Sequence, residues 1–403
     1  MPVLVILGAG AEQLTTYRVA RRLGCRIVGV DQRPDAPAAA LADRFVPVSF
    51  RDPAAVVAAL GETQVDGIIA PGTDLSLPAF QVLGDCYLTP HRLSPTTLRA
   101  STDKGFFRQL LEGLPYPRCR FAQSADPAEL RREAARMSWP LMVKPADMCG
   151  NRGVEAVADP AGLGGAIERA LASSYGGEVI VEELVRGIHL GCECFLRDGE
   201  PLLVAPSERR HTGPPSFLTT SHLLPARLDA ATSAALVEMV GTICQTVKHE
   251  TGPVNFDLVI DGRGAIHPIE MGARLGGNGL TELVRVAYGV DVVEAAVWLA
   301  LGRPFTVTPR TRRVALSFVL TSDRPGVLAG VDGVEEVRAA STTERLELFA
   351  APGDPVAAFT KSADKLGIVV LAGDTHEQVE AAARAARRAL RPRLLPAGAG
   401  VGR

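Results

Sequence analysis

The sequence predicts a protein of mixed α/β and α+β class built in three units, and three observations carry that expectation. The chain opens with an apolar run over 2–8, a helical pattern from Gln13 to Leu23 and a second apolar run from Arg26 to Val30, a βαβ alternation. Similar alternation continues to about residue 311. From Arg312 the texture changes to strand-like runs at Val314–Leu320, Leu346–Ala350 and Gly367–Gly373, then the Ala/Arg-rich helical segment Thr375–Arg391 and a Pro- and Gly-rich tail, Pro392–Arg403, that is expected to fray. A chain of 403 residues has room for roughly two to four domains.

The first unit, 1–103, reads as doubly wound. Its first strand ends in Gly8-Ala9-Gly10 and its second at Asp31, which resembles part of a dinucleotide fingerprint, but Gln13 stands where a third glycine is needed. A strand at Phe45–Val48, a helix at Pro53–Leu60 and a strand at Gly67–Ala70 follow, ending in the loop Pro71-Gly72-Thr73-Asp74. Loops at the carboxyl ends of strands are where α/β sheets bind ligands.

The middle unit, 104–311, begins at Asp103-Lys104, ahead of a helix with Phe106, Phe107, Leu110 and Leu111 along one side. A compact subunit at about 115–185 has strands at Cys119–Ala122, Leu141–Lys144, Val154–Val157 and Glu178–Glu183 and helices at Pro127–Met137 and Pro160–Leu171, with Asp126 capping the first. Lys144 ends a strand and precedes the loop Ala146–Gly153; an amine beside a glycine-containing loop suits a triphosphate, and it also suits an ordinary mobile turn. The segment Leu184-Val185-Arg186-Gly187 is expected to be extended and to offer backbone groups to a ligand edge, or to be a plain hinge. In the strand Leu190–Leu196, Cys192 and Cys194 alternate with Glu193 and Phe195. The polar stretch 206–225 reads as a long loop, with Arg209, Arg210, His211 and His222 available for substrate contacts. Helices are expected at Ala230–Glu250, Thr281–Tyr288 and Val292–Leu301.

Between these helices lies the most informative stretch, Val254–Gly279. Two apolar runs, Phe256–Ile260 and Ala265–Ile269, flank Asp-Gly-Arg-Gly, a turn between two strands. Antiparallel pairing would bring Asp257 near Glu270, and close carboxylates repel unless a cation or proton lies between them. Such oxygen donors suit Mg2+, which usually also takes phosphate oxygens and water. Arg274 is a planar donor for phosphate or carboxylate, and Gly276, Gly277 and Gly279 permit close backbone approach. Taken alone, the stretch fits a solvated hairpin followed by a flexible loop as well as it fits a metal and ligand site.

Composition narrows the function. The formal net charge is -2 with no long run of one sign, which leaves no nucleic-acid footprint. The seven cysteines are scattered apart from Cys192 and Cys194 and form no CxxC pair, so reduced thiols and a cytoplasmic location are expected. The N-terminal apolar run is too short to span a membrane and lacks a basic leader; neither a signal peptide nor a membrane partner is expected. No internal repeat of 20–50 residues is visible.

In order, Asp103-Lys104, Lys144-Pro145 with the Gly150–Gly153 loop, Glu182-Glu183-Leu184-Val185-Arg186-Gly187, Asp257 and Glu270-x-x-x-Arg274 resemble the ATP-grasp superfamily, in its carboxylate–amine ligase branch that includes L-amino-acid ligases. The resemblance covers nearly the whole chain. It implies a pre-ATP-grasp domain at 1–103, an ATP-grasp domain at 104–311 whose ATP-lid subdomain spans about 115–185, and a C-terminal α+β lid domain at 312–403. It implies ATP and Mg2+. Lys104 and Lys144 would hold phosphates, with Asp147, Gly150, Asn151, Arg152 and Gly153 in the covering loop. Glu182, Glu183 and Val185 would face adenine, the last two largely through backbone, and His189 stands where relatives often place an acid for ribose. Asp257 and Glu270 would bind metal, and Arg274 would face the acyl-phosphate site with Gly276 and Gly277 beside it. Glu193, Arg209 and His222 join the substrate candidates; Asp147 or Glu193 would orient an amine. The family usually has Asn two residues after the metal Glu; here it is Gly272, and Asn255 and Asn278 are possible replacements. The implied activity is ATP-dependent amide or peptide bond formation through an acyl phosphate. Small-molecule acids and amines, amino acids above all, would be the substrates of a homodimer. Bicarbonate activation in the same scaffold and a regulatory nucleotide-binding protein are the alternatives; a nicotinamide dehydrogenase ranks below both.

Overall fold

The computed structural model describes residues 1–396. Its first unit is a parallel sheet, order β3-β2-β1-β4, from β1 (Val3–Leu7), β2 (Arg26–Val30), β3 (Arg44–Val46) and β4 (Gly67–Ile69). Helices α1 (Leu14–Arg22), α2 (Pro53–Leu60) and α3 (Leu77–Tyr87) connect and flank these strands. The doubly wound expectation holds. Helix starts follow a simple local rule. Asp52-Pro53, Ser94-Pro95, Asp126-Pro127 and Asp159-Pro160 each begin a helix, the first residue accepting from a backbone N–H and the proline filling a position that needs no donor.

Helices α4 (Pro95–Thr102) and α5 (Lys104–Glu112) lead into an antiparallel sheet, order β5-β8-β6-β7, formed by β5 (Phe121–Ser124), β6 (Leu141–Pro145), β7 (Glu155–Val157) and β8 (Val179–Glu183). Helices α6 (Pro127–Ala134) and α7 (Pro160–Ser173) pack on it through Leu130, Leu163 and Ile167.

The main sheet is antiparallel, with the order β13-β12-β9-β10-β11-β14-β18-β16. Its strands are β9 (Gly187–Arg197), β10 (Glu200–His211), β11 (Thr219–Leu224), β12 (Gly252–Asp261), β13 (Ile266–Gly272), β14 (Val314–Leu320), β16 (Thr343–Leu348) and β18 (Gly367–Gly373). Pairing of β11 with β14 carries it without a break from the middle unit into the C-terminal one. Alternation on β9 sorts its side chains: Cys192, Cys194 and Leu196 face α8 (Ala230–Val247), while Phe195 enters the core shared with α9 (Leu280–Tyr288) and α10 (Val292–Ala300). Phe107, Phe195 and Phe256 are almost wholly buried, each contributing roughly 1.5–3 kcal/mol. Helix α8 is long and apolar enough to cross a membrane by composition, yet Leu236, Met239, Ile243 and Val247 lie in this core.

Completing the C-terminal unit are β15 (Gly326–Asp332), β17 (Pro355–Val356), β19 (Arg391–Leu395), α11 (Val334–Ala339) and α12 (His376–Ala389).

Two expectations are corrected. The stretch 206–225 is not one long loop: β10 runs on to His211, β11 starts at Thr219, and Arg209 pairs with His222 across them. Arg209, Thr219 and His222 face the cleft described below, while Glu208 and Arg210 pair with Arg227 and Glu380, so the two strands gave no apolar signal. The tail expected to fray from Pro392 instead supplies β19, which pairs with β15 at the edge of a three-stranded sheet, where a proline is tolerated. The rest of that expectation, 397–403, lies outside the described residues.

Candidate nucleotide and substrate cleft

A cleft of about 620 Å3 lies between the parallel sheet, the β5-β8-β6-β7 sheet and the main sheet, and most of the sequence candidates border it. Its floor is the β12–β13 hairpin. Asp257 stands opposite Glu270 and Asn255 opposite Gly272, with a register shift just after Asp257. Each carboxylate has a cation. Arg209 on β10 donates to Asp257 at 2.5 Å, and Lys104, the first residue of α5, lies 3.2 Å from Glu270. Burial opposes ionisation of Asp257, but Arg209 above all the other neighbours holds its carboxyl below the usual range. Burial likewise opposes charging of Lys104, and Glu270 overcomes it. His222 bonds Ser207 through Nδ1 at 3.0 Å; burial and then Arg209 push it down to about 3, so the ring is neutral.

The second wall carries Lys144 and Glu182. Lys144 donates to Glu182 at 2.5 Å and Arg108 to the other Glu182 oxygen at 2.7 Å; Arg108 also reaches the Pro268 carbonyl. Burial would raise the Glu182 carboxyl, but Arg108 and Lys144 hold it at about 2. Leu184 and Val185 border the cleft. Glu183 borders it too, with its carboxylate accepting from the Ser138 backbone N–H at 2.8 Å. His189 sits 4.4 Å from the His211 ring and 5.8 Å from the Phe217 ring; burial, then Arg209, pushes it down to about 4.

Over the cleft lies the loop through Gly150, Asn151 and Arg152. Gly150, Asn151 and Gly153 have positive φ (68°, 59° and 68°), and Ser216 and Phe217 carbonyls fix the Asn151 amide. Gly153 is packed: a Cβ there would meet Pro145 at 2.9 Å and Ser173 at 2.8 Å. Asp147 is not brought to the cleft. Its carboxylate accepts from Ser174, Tyr175 and Gly176 and anchors that turn.

Arg274 enters from the third side and donates to Asp74 Oδ2 at 2.8 Å. Gly276 is turned from the cleft as a donor: its N–H goes to both oxygens of Glu193, at 2.9 and 3.1 Å. Glu193, fully buried, also accepts from Asn255 at 3.2 Å. Burial pushes its carboxyl up to about 8, and Arg274, Gly276 and Asn255 offset only part of that. Gly277 faces Glu12, which accepts from the Asn278 N–H at 2.9 Å and from Lys365; Lys365 also donates to the Asn278 side chain at 2.8 Å.

Sequence reading missed Arg108, Asp74, Glu12 and Lys365 as parts of this site. An arginine embedded in the apolar face of α5 was the available signal for Arg108, since a buried guanidinium needs an anion. Asp74 was legible only as part of its loop, and Lys365 carried no signal. Among the described residues no group of three His, Cys, Asp or Glu side chains is already gathered for a metal ion. Asp257 and Glu270 nonetheless fit Mg2+, which needs only one or two carboxylates when phosphates and water complete its shell.

Residues 137–282 match the family model of the ATP-grasp domain, and residues 318–394 match L-amino acid ligase C-terminal domain 2. The uncharacterized protein y4rH of Sinorhizobium fredii is 29% identical over 282 residues, covering 68% of this chain and 58% of its own length. Formate-dependent phosphoribosylglycinamide formyltransferase of Synechococcus sp. (strain CC9311) is 32% identical over 188 residues, 45% of this chain. The chain thus spans about half the length of these relatives, 58% and 47%. The same enzyme from Synechococcus sp. (strain WH7803) is 27% identical over 405 residues, 96% of each chain. Among solved structures, an L-amino acid ligase from Bacillus licheniformis superposes with a TM-score of 0.84 at 22% identity, covering 98% of this chain and 99% of that one.

Proposed function

The chain belongs to the ATP-grasp superfamily, and on that premise we propose that it joins a small-molecule carboxylic acid to an amine at the expense of ATP. The observation that carries this reading is the pairing of Asp257 with Glu270 on the cleft floor, with Lys104 and Arg209 beside them and Arg274 at the next turn. In the proposed step a substrate carboxylate oxygen attacks the γ-phosphorus of ATP, the bond to the β–γ bridging oxygen breaks, and ADP leaves. The amine then adds to the acyl carbon, loses a proton and expels phosphate, giving an amide.

Mg2+, when bound, would neutralise the phosphate oxygens. Asp257 and Glu270 would hold it, exchanging their Arg209 and Lys104 partners for the ion. Lys104, Lys144 and Arg274 border the cleft; the two lysines would offset phosphate charge and Arg274 would bind the acyl phosphate. The 150–153 loop and the C-terminal unit, which meet where the Ser362 N–H donates to the Gly150 carbonyl, would exclude water from an acyl phosphate. Leu184 and Val185 would present backbone to adenine.

Amino acids are the substrates we favour, because of the C-terminal match, and we assign the product to dipeptide or natural-product synthesis. A homodimer acting in the cytoplasm completes the proposal. Purified protein should be assayed for phosphate release from Mg-ATP with amino acids singly and in pairs, and with formate and bicarbonate. Release that requires a pair, with a product of the condensation mass, supports the reading. Release with bicarbonate alone would replace it by carboxylation, and bound ATP without any turnover by a regulatory role.

A further inference from the structure

We propose that Asp74, from the loop after β4, supplies through Oδ1 the metal-facing oxygen that the chain lacks at Gly272; this rests on the ATP-grasp reading of the cleft.

Gly272 lies two residues after Glu270 on β13, so a side chain there would stand on the same face as Glu270. A Cβ built on Gly272 would fall 2.1 Å from Asp74 Oδ1. The carboxylate of Asp74 therefore occupies the space that a side chain at 272 would fill, and glycine is what lets it in. Asp74 is 7% exposed. Its Oδ2 accepts from Arg274 at 2.8 Å, but Oδ1 is buried and has no hydrogen-bond partner. A buried carboxylate oxygen without a partner is costly unless a cation or donor reaches it. Asp74, Glu270 and Lys104 all border both the main cleft and a smaller cavity of about 240 Å3, and the Lys104 ammonium lies 3.2 Å from Glu270.

The asparagines that could have replaced a ligand at 272 are engaged elsewhere. Asn278 Oδ1, the atom a metal would take, accepts from Lys365, and the Asn255 side chain is oriented by its Nδ2, which donates to Glu193 and the Cys192 carbonyl. Hard carboxylate oxygens from two different units of the fold would thus share the ion. The metal would then tie the first unit to the main sheet.

The test is a titration of the full chain with Mn2+ in the presence of a non-hydrolysable ATP analogue, with free Mn2+ read by its paramagnetic resonance signal. The wild type should take two Mn2+ per chain. D74A should lose the second or weaken it at least about tenfold, while D74N, which keeps an oxygen and the shape, should retain it with reduced affinity. G272N alone should impair the second ion, because its side chain collides with Asp74, and D74A/G272N should restore it. Two Mn2+ bound with unchanged affinity in folded D74A would overturn the proposal, as would a single Mn2+ in the wild type. Failure of the wild type to bind either nucleotide or Mn2+ would remove the ATP-grasp reading together with it.

Discussion

Asp257 and Glu270 face one another across the β12–β13 hairpin, and each is neutralised by a cation from a different element, Arg209 from β10 and Lys104 from α5. Each cation offsets the repulsion between the two paired carboxylates. E270Q keeps the shape and removes the charge. It should lower nucleotide-dependent phosphate release by about 100-fold, equivalent to ~3 kcal/mol of lost transition-state stabilisation, with little change in Tm. Steady-state phosphate release beside a thermal melt checks this.

The Arg108–Glu182–Lys144 triad is buried throughout. Replacing Arg108 by Leu leaves Glu182 with one cation instead of two and the Pro268 carbonyl without its donor. Breaking a buried pair from one side costs roughly 3–5 kcal/mol. Denaturant unfolding of R108L should show a loss of that order, and nucleotide binding should weaken because Lys144 is drawn more tightly to Glu182.

Glu193 titrates in the wrong range for a surface carboxylate, about 8, because it is buried beneath the Gly276 turn. Its folded value lies above the unfolded one, so its contribution to stability is complete below about 4.5 and is lost as pH rises towards 8. E193Q has no such loss. The difference in Tm, wild type minus E193Q, should fall steadily between pH 5 and about pH 8; a flat difference across that window would contradict the placement.

Gly276 is the partner of that carboxylate. A Cβ there would lie 2.4 Å from Glu193 Oε2 and 3.0 Å from Asn255 Nδ2. G276A should cost about 1–3 kcal/mol by overpacking, read by denaturant unfolding, and the loss should shrink in the E193A background, where the oxygen is gone.

Much of this arrangement was legible along the chain. Strand runs such as Arg26–Val30, Val314–Leu320 and Gly367–Gly373 are apolar on both faces because both faces are covered, and they were placed to the residue. The Asp257–Glu270 pairing followed from the hairpin turn between them. What escaped depended on contacts between distant segments. Arg209 and His222 lie on strands, but their polar side chains point into a cleft and mimic a loop. Asp147 has the right sequence position, yet the backbone donors at Tyr175 and Gly176 claim its side chain. Asp74 and Arg274 are 200 positions apart, and only the folded chain puts one against the other.

The most direct test of the central claim follows an oxygen atom. An acid substrate found in the phosphate-release screen should be labelled with heavy oxygen in its carboxylate and turned over with unlabelled ATP and the amine. If the carboxylate attacks the γ-phosphorus and is later released from the acyl carbon, the phosphate product must carry one heavy oxygen from the acid. Phosphate free of the label, with its new oxygen drawn from water, would show that the cleft hydrolyses ATP without activating the acid.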